Sequence, residues 1–290
     1  MKYLLFLIAF CAFSNLRGQE MNPDFKVYDV RRQRLALISD IVADMDKATV
    51  LFFGEEHNDS IGHSLELMIL RKMNERFPAQ TALSLEMFYT DVQPELDEYL
   101  AGAISESNFI KEGRAWSNYS DYRPLIEYAK ANKLRVIAAN AAARYSNAVT
   151  KGGLEALRLL PRSSFTFLPP LPIDTASGRY YEKFNALLGG HNMGSMKVYQ
   201  TQNFWDATMA WSIAKYLKTQ RSAKVLHING RFHSDEKLGI PAQLARYAPK
   251  IKTLNISAFS DDSFEHPDWE KFKDLGDYVI ITNPEIVKNP

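Results

Sequence analysis

The chain has 290 residues, of which 35 are basic and 34 acidic, so its formal net charge at pH 7 is +1. This balance, with the charges scattered along the chain, argues against nucleic acid or an anionic membrane surface as a partner. Hydrophobic residues make up 46% of the chain, which is enough to bury one sizeable core together with an inserted subdomain.

The first residues have the pattern of a secretory signal peptide. Lys2 precedes an apolar run over residues 3–13 that is too short to span a bilayer, and the small residues Ala12 and Ser14 offer a cleavage site. We therefore predict a signal peptide over residues 1–18, with cleavage between positions 14 and 19. The mature protein is expected to be exported, to the periplasm or elsewhere in the cell envelope.

The single cysteine, Cys11, lies inside that apolar run. A lipoprotein signal places a small residue directly before the lipidated cysteine, whereas Phe10 stands at that position here, so a lipid anchor on Cys11 is disfavoured relative to simple cleavage. Cleavage after Ser14 would leave a mature chain without cysteine. Such a chain has no disulfide, no thiolate metal ligand and no cysteine nucleophile.

Apolar segments alternate with helical patterns through the rest of the chain. The helical patterns repeat apolar residues every four positions, as at Leu65, Ile69 and Met73. The predicted helices cover residues 63–77, 93–100, 122–132 and 202–217. The predicted strands cover residues 49–53, 81–87, 135–139, 224–228, 252–256 and 278–282.

This alternation predicts an α/β fold with a central, mainly parallel sheet flanked by helices, because strands that are apolar throughout must be covered on both faces. We expect one domain over residues 19–290. A helical and loop insertion at about residues 141–222 would separate the third and fourth core strands.

Two of the predicted strands end in the same signature, Gly-x-x-His, at Gly54–His57 and Gly230–His233. Ligands of such folds bind beyond the carboxyl ends of the strands, where the loops converge. We therefore expect polar residues from several strand ends to share one rim of the sheet, and Asp206 to face the same rim from its helix. The predicted rim residues are Glu55, His57, Glu86, Asn140, Asn229 and His233.

Carboxylates and imidazoles at one rim suit two chemistries. They can ligate a divalent metal such as Zn or Mn, for which the candidate ligands are His57, Glu86 and His233. They can also transfer protons as general acids and bases, and then the candidate catalytic residues are Glu55, His57, Glu86 and His233.

Three nearby polar residues are better explained without a functional role. Glu56 is expected to be a solvated neighbour. His63 lies six residues after His57, which fits neither a helical nor a strand ligand pair, so we interpret it as a residue of the first helical turn rather than a ligand. His227 lies inside a strand and is interpreted as a core histidine.

A glycine-rich segment, residues 189–199, offers a second kind of site. Its glycines argue against a stable helix, and its His191, Met193 and Tyr199 are of the types that ligate haem iron. The segment is either a loop that closes over a flat apolar ligand or a flexible linker whose histidine and methionine are incidental. If it binds haem, Tyr199 and His191 are the candidate iron ligands.

Taken together, "GEEHND", "SLEMFYTDVQPELDEYLAG", "WSNYSDYRPLIEYAKANKLRVIAAN", "QNFWDATMAWSIA" and "INGRFHSDEKLGIPAQL" resemble the ChaN-like haem-binding uptake proteins of the Tiki superfamily, from about Ala48 to Leu244. The resemblance implies a bacterial envelope protein of iron uptake that binds haem, forms a homodimer and works with the outer-membrane uptake machinery. The superfamily's two Gly-x-x-His motifs and intervening glutamate match Gly54–His57, Glu86 and Gly230–His233.

The same resemblance leaves an enzymatic alternative open. Some members of the wider superfamily resemble metal-dependent peptidases, and erythromycin-esterase-like hydrolases share a related fold. The chain also departs from the expected pattern after its third core strand, where Ala142 and Ala143 replace a proline and an arginine, so that Arg144 alone remains to pair with an anionic ligand group. A haem-binding protein without turnover and a metal-dependent peptidase or esterase therefore remain competing hypotheses.

Overall fold

One mixed sheet of eight strands organises the protein, as seen in a computed structural model that describes residues 22–189 and 194–286. The strand order is β2-β1-β8-β7-β3-β6-β4-β5. All neighbours from β8 to β5 are parallel, whereas β1 pairs antiparallel with β8 and with β2. The strands are β1 (Phe25–Asp29), β2 (Arg34–Leu35), β3 (Val50–Glu55), β4 (Thr81–Tyr89), β5 (Arg135–Asn140), β6 (Lys224–Gly230), β7 (Thr253–Ser260) and β8 (Tyr278–Thr282).

Helices cover both faces of this sheet, so the predicted α/β class with a mainly parallel sheet is confirmed. All six predicted strands and all four predicted helices are present. No helix within residues 22–189 and 194–286 combines the length and apolar character needed to cross a bilayer. The helices are α1 (Ile38–Asp44), α2 (Ser60–Arg76), α3 (Gln93–Leu100), α4 (Glu106–Glu112), α5 (Tyr119–Ala131), α6 (Ala143–Gly152), α7 (Arg179–Leu187), α8 (Val198–Thr219), α9 (Ile240–Tyr247) and α10 (Trp269–Phe272). The sequence did not predict the short strands β1 and β2, nor the bounds of α1, α4, α6, α7, α9 and α10.

The central strand β3 is apolar at consecutive positions because each face of the sheet has its own core. Leu51 and Phe53 belong to the cluster formed with α1, α2 and α5, whereas Val50 and Phe52 belong to the cluster formed with α8 and α9. Side chains alternate between faces along a strand. Glu55 therefore continues the face of Phe53, towards α2 and α5.

Three helices, α6, α7 and α8, lie in the segment between β5 and β6, where the insertion was predicted. The long helix α8 packs on the sheet through Met209, Ala210 and Ile213, which are fully buried. The predicted insertion therefore supplies part of the core as well as the residues that reach the rim.

A side chain occupies the free edge of β5, the outermost strand on its side of the sheet. Gln93, the first residue of α3, accepts a hydrogen bond through Oε1 from the backbone N–H of Ala138 (2.8 Å). Its Nε2 donates to the carbonyl of Val136 (3.0 Å). One glutamine amide thus takes the place of a neighbouring strand, and at the opposite edge β2 is only two residues long.

Candidate functional site at the rim of the sheet

The two Gly-x-x-His motifs lie side by side because β3 and β6 are neighbours, with Glu55 in register with Gly230. Each glycine makes room for the other motif. A Cβ on Gly54 would lie 2.9 Å from Cα of Arg231, and a Cβ on Gly230 would lie 2.8 Å from Nε2 of His57. Both distances are shorter than the van der Waals contact between a carbon and another non-bonded heavy atom. Gly54 is therefore required by the backbone of the second motif, and Gly230 leaves room for the side chain of His57.

Glu55 anchors the first half of the rim. Its Oε1 accepts hydrogen bonds from Nδ1 of His57 (2.7 Å) and from the hydroxyl of Tyr122 (2.7 Å). Burial acts to raise the pKa of Glu55, but the hydrogen bond from His57 and the nearby imidazole of His63 outweigh it and hold that pKa below its ordinary value. Glu55 is therefore a carboxylate at neutral pH and fixes the ring of His57.

His57 presents its other nitrogen to the rim. Its side chain is 44% exposed, although Nδ1 is bound to Glu55. Burial acts to lower the pKa of His57, and the Glu55 carboxylate more than reverses that effect. The ring edge also faces Trp116, with 5.4 Å between ring centroids. Nε2, the nitrogen not bound to Glu55, lies beside Gly230. A carboxylate that holds one imidazole nitrogen and leaves the other without a bond is a typical arrangement for a metal-binding histidine.

Glu86 and His233 form the second half of the rim, on the face covered by α8. Glu86 accepts a hydrogen bond from the backbone N–H of Gly230 (2.8 Å) and lies 3.5 Å from Nε2 of His233. On its far side, Nδ1 of His233 is 2.6 Å from Oδ1 of Asp206. Burial acts to lower the pKa of His233, but these two carboxylates raise it to about 9. The imidazole therefore lies between two acids and carries a proton at neutral pH.

Further polar groups hold this second half in place. The hydroxyl of Tyr180 donates to Oδ2 of Asp206 (2.6 Å) and accepts a hydrogen bond from Nε2 of Gln202 (3.1 Å). Asp206 faces the rim as the sequence predicts. Tyr180 and Gln202 were not predicted, because nothing in their local pattern distinguishes them from ordinary helix residues.

The two halves meet at Gly230. The position of a Cβ on this glycine is 2.8 Å from Nε2 of His57 and 3.8 Å from Oε2 of Glu86. A cavity of about 270 Å³ opens beside them and is lined by Glu86, Tyr89, Trp116, Asn140, Ala143, Ser146 and Trp205. The structure therefore brings Glu55, His57, Glu86 and His233 to one rim, with aromatic walls that the sequence did not assign to it.

The remaining rim candidates have local structural partners. Asn140 lines the cavity and accepts a hydrogen bond from the N–H of Ala141 (2.8 Å). Asn229 is buried and donates to Oγ of Ser234 (3.0 Å). His227 is a fully buried core histidine, as predicted. Its Nδ1 lies 2.8 Å from Oγ of Ser84.

The candidate haem ligands are not among the side chains that meet at Gly230, although the ring of Tyr199 packs 6.1 Å from that of Tyr180. Tyr199 is in the first turn of α8, and its hydroxyl donates to the carbonyl of Ala176 (2.6 Å). Burial raises the pKa of Tyr199, which disfavours the tyrosinate form. Arg144, near the start of α6, forms an ion pair with Asp91. The other two candidates lie outside the residues that the structure describes: His191 and Met193.

A mainly parallel α/β sheet that carries two Gly-x-x-His motifs and a glutamate at its strand ends defines a Tiki-type protein. The chain belongs to the haem-binding uptake (ChaN) family of the Tiki superfamily, whose sequence profile matches residues 41–244. The resemblance seen in the sequence is thereby confirmed. The family is described as one of haem-binding uptake proteins.

Comparison with solved structures supports the fold. The chain is similar to the structure described as "Cofacial heme binding to ChaN of Campylobacter jejuni", with a TM-score of 0.68 and 19% identity over 90% of this chain and 98% of that chain. It is more distantly similar to an erythromycin esterase, EreC, in its open conformation, with a TM-score of 0.49 and 12% identity over 90% of this chain and 83% of that one. A search of curated proteins finds no match to the sequence.

Proposed function

We propose that the protein binds haem at the rim cavity beside Gly230 and serves haem or iron uptake in the cell envelope. Family membership supports the ligand class. The observation that carries the location is the geometry of His57, whose Nδ1 is held by Glu55 at 2.7 Å while its half-exposed ring presents Nε2 to the rim. Imidazole nitrogen is a common axial ligand of haem iron.

The walls of the cavity fit one edge of a flat aromatic macrocycle. Trp116, Trp205 and Tyr89 supply aromatic surface, and Glu86 and Asn140 supply polar groups at the cavity. Its volume of about 270 Å³ is below the range of roughly 300–1,000 Å³ that encloses a drug-sized ligand. Part of the macrocycle would therefore need a cover from outside the cavity.

That cover would come from the glycine-rich segment over residues 189–199 or from a second copy of the chain. The similar protein from Campylobacter jejuni is described as binding haem cofacially. A homodimer with facing haem sites is the corresponding proposal for this chain. Association with outer-membrane uptake machinery belongs to the same proposal.

His57 is a better iron ligand than Tyr199 in the described conformation. The hydroxyl of Tyr199 is already bound to a carbonyl, and burial disfavours the tyrosinate that iron requires. Nε2 of His57 needs only the loss of a proton. His191 remains a sequence prediction, and Arg144 would have to leave Asp91 to pair with a haem propionate.

Titration with haemin tests this proposal. Wild-type protein should perturb the Soret band at micromolar haemin, and His57→Ala should weaken binding and change the spectrum. Matched controls are Tyr199→Phe and His266→Ala, the latter an exposed histidine between β7 and α10. A Soret band unchanged by wild-type protein in both oxidation states would refute haem binding. A shift lost in Tyr199→Phe but kept in His57→Ala would refute the assignment of the ligand.

Envelope location is tested by processing of the N-terminus. The signal-peptide pattern over residues 1–18 predicts an exported chain that begins between Asn15 and Glu20 and carries no lipid. Sequencing of the protein recovered from the cell envelope would show that start. An intact Met1, or an acyl group on Cys11 in the mass spectrum, would contradict it.

The Asp206–His233–Glu86 arrangement supports a second candidate, a hydrolase. An imidazole held by a buried carboxylate at 2.6 Å and facing another at 3.5 Å can transfer a proton to or from a substrate at the cavity. A divalent ion held by His57, Glu86 and His233 would supply the activated water. Glu86→Gln and His233→Ala should then abolish metal-stimulated cleavage of peptide or ester substrates, whereas Tyr199→Phe should retain it. A wild-type protein that cleaves no member of a broad panel would remove this candidate.

A further inference from the structure

Behind Glu55, on the face of the sheet covered by α2 and α5, lies a cluster that neither proposal uses. Glu55, His63 and Glu66 are all buried, and one donor atom from each lies within 4.8 Å of the others. Nδ1 of His63 is 3.2 Å from Oε2 of Glu55 and 3.6 Å from Oε2 of Glu66. Two carboxylates and one imidazole thus converge on a single point in the interior.

These inward atoms have no hydrogen-bond partner among the described residues. Neither carboxylate oxygen of Glu66 is bonded, and Oε2 of Glu55 and Nδ1 of His63 are also unpaired. Glu66 is fully buried. An unpaired buried carboxylate costs several kcal/mol. Two buried carboxylates whose oxygens converge with Nδ1 of His63 within 4.8 Å therefore indicate a positive charge between them.

The other side of His63 fixes which nitrogen faces that point. Nε2 of His63 lies 3.3 Å from the backbone carbonyl of His57, a distance at which Nε2–H donates. In the neutral ring the lone pair is then on Nδ1, directed at the two carboxylates. A histidine whose second nitrogen donates to a backbone carbonyl is the usual state of a metal ligand.

We propose that Glu55, His63 and Glu66 bind a divalent transition-metal ion, Zn²⁺ in the first place, at a buried site separate from the rim cavity. Ligand bonds of about 2.1 Å in tetrahedral geometry separate neighbouring ligand atoms by about 3.4 Å. The observed spacings from Nδ1 of His63, 3.2 and 3.6 Å, lie on either side of that value. A mixed oxygen and nitrogen ligand set also suits Mn²⁺ and Fe²⁺.

Without a metal, protons on the described residues would neutralise the cluster. Burial acts to lower the pKa of His63, but Glu55 and Glu66 raise it to about 11, and burial together with the charge of Glu55 raises the pKa of Glu66 well above its ordinary value. Protons held in this way are the competing explanation. They predict a cluster that takes up no metal and gains no stability from one.

Glu55 connects this site to the rim. Its Oε1 accepts from His57 and Tyr122, while its Oε2 faces the proposed metal. A metal on Oε2 draws charge away from Oε1 and fixes the orientation of the carboxylate. The metal would therefore act on His57 through Glu55, as a buried structural ion that positions the rim histidine.

Metal content tests the proposal. Full-length protein purified without immobilised metal is incubated with Zn²⁺, gel-filtered and analysed by atomic mass spectrometry, and we expect one zinc per chain. Glu66→Gln keeps the shape of the side chain but removes a ligand charge, and should lower zinc content on the order of tenfold or more. Glu127→Gln is the matched control, because it removes a part-buried carboxylate that accepts a hydrogen bond from Tyr99 and belongs to neither site, so this zinc should stay bound. Glu86→Gln, which removes a candidate rim ligand, distinguishes the buried site from the rim.

Two further measurements on wild-type protein keep the test independent of how the variants fold. Substitution with Co²⁺ should give the visible absorption of a tetrahedral ion, and chelation should lower the melting temperature. Zinc retained by Glu66→Gln but lost by Glu86→Gln would place the metal at the rim and overturn the proposal. A wild-type chain that binds neither Zn²⁺ nor Co²⁺ would overturn it in favour of protons. No result depends on haem.

Discussion

Replacing each of the two motif glycines, Gly54 and Gly230, by alanine should affect a different property of the protein. A Cβ on Gly54 would meet Cα of Arg231 at 2.9 Å and Oγ of Ser234 at 2.7 Å, so the backbone of the following turn must shift. A Cβ on Gly230 would meet only the ring of His57 closely, at 2.8 Å, and a half-exposed ring can swing away. Gly54→Ala should therefore cost stability, whereas Gly230→Ala should cost ligand binding.

The magnitudes follow from the contacts. Overpacking a buried site costs about 1–3 kcal/mol, and replacing glycine by alanine regains about 0.4–1 kcal/mol through the unfolded state. Gly54→Ala should therefore lower the free energy of unfolding by about 1–2 kcal/mol and the melting temperature by a few degrees. Gly230 has φ −56° and ψ 131°, which alanine adopts freely, so Gly230→Ala should change the melting temperature little.

Thermal melts followed by circular dichroism, paired with haemin titrations of the same samples, separate the two effects. The expected pattern is a lowered melting temperature in Gly54→Ala and weakened haemin binding, with near-normal stability, in Gly230→Ala. Equal melting temperatures for Gly54→Ala and wild type would refute the packing argument. Unchanged haemin binding in Gly230→Ala would show that His57 and this side of the rim do not contact the ligand.

Three other substitutions test the electrostatics and packing around the sheet. Tyr122→Phe removes the hydroxyl that donates to Glu55 at 2.7 Å and should lower the free energy of unfolding by about 1.5–3 kcal/mol in urea titrations. Asp44, paired with two arginines, has a pKa lowered by its Arg32 hydrogen bond from 3.8 to about 2, so its contribution is present above pH 3.8 and is lost as the pH falls towards 2. Asp44→Asn should therefore cost roughly 1 kcal/mol at pH 7, after allowance for solvent screening, and almost nothing at pH 2, as measured by urea unfolding at the two pH values. Ile213→Val, in the fully buried face of α8, should cost about 0.5–1.5 kcal/mol at any pH.

The sequence predicts the rim well because its signals are local. A polar residue directly after an apolar strand must lie at the carboxyl end of that strand, and in a parallel sheet these ends share one edge. The two Gly-x-x-His motifs could be assigned to that edge on this ground alone. Glu86 lies there too, because the regular pairing of β4 ends at Leu85 although the strand continues to Tyr89. The neighbouring positions of β3 and β6 could not, because strand order depends on contacts between segments far apart in the chain.

The buried cluster shows what local patterns miss. The six-residue spacing between His57 and His63 fits no ligand pair and predicts that His63 is an ordinary residue of the first helical turn. The informative spacing is to Glu66, three residues on and therefore on the same face of α2. Glu66 lies between the apolar positions Leu65 and Ile69, where a carboxylate is costly unless it has a partner. That conflict was the available signal.

The Gln93 amide on the edge of β5 limits how two copies of the protein can associate. An open edge strand invites a second chain to extend the sheet through main-chain hydrogen bonds. Here the amide of Gln93 is already hydrogen-bonded to the N–H of Ala138 and to the carbonyl of Val136. The strand at the other edge, β2, has only two residues. A continuous intermolecular sheet is therefore disfavoured at either edge. Copies that meet must do so through side chains or a shared ligand, so the concentration of that ligand could set how many copies are paired.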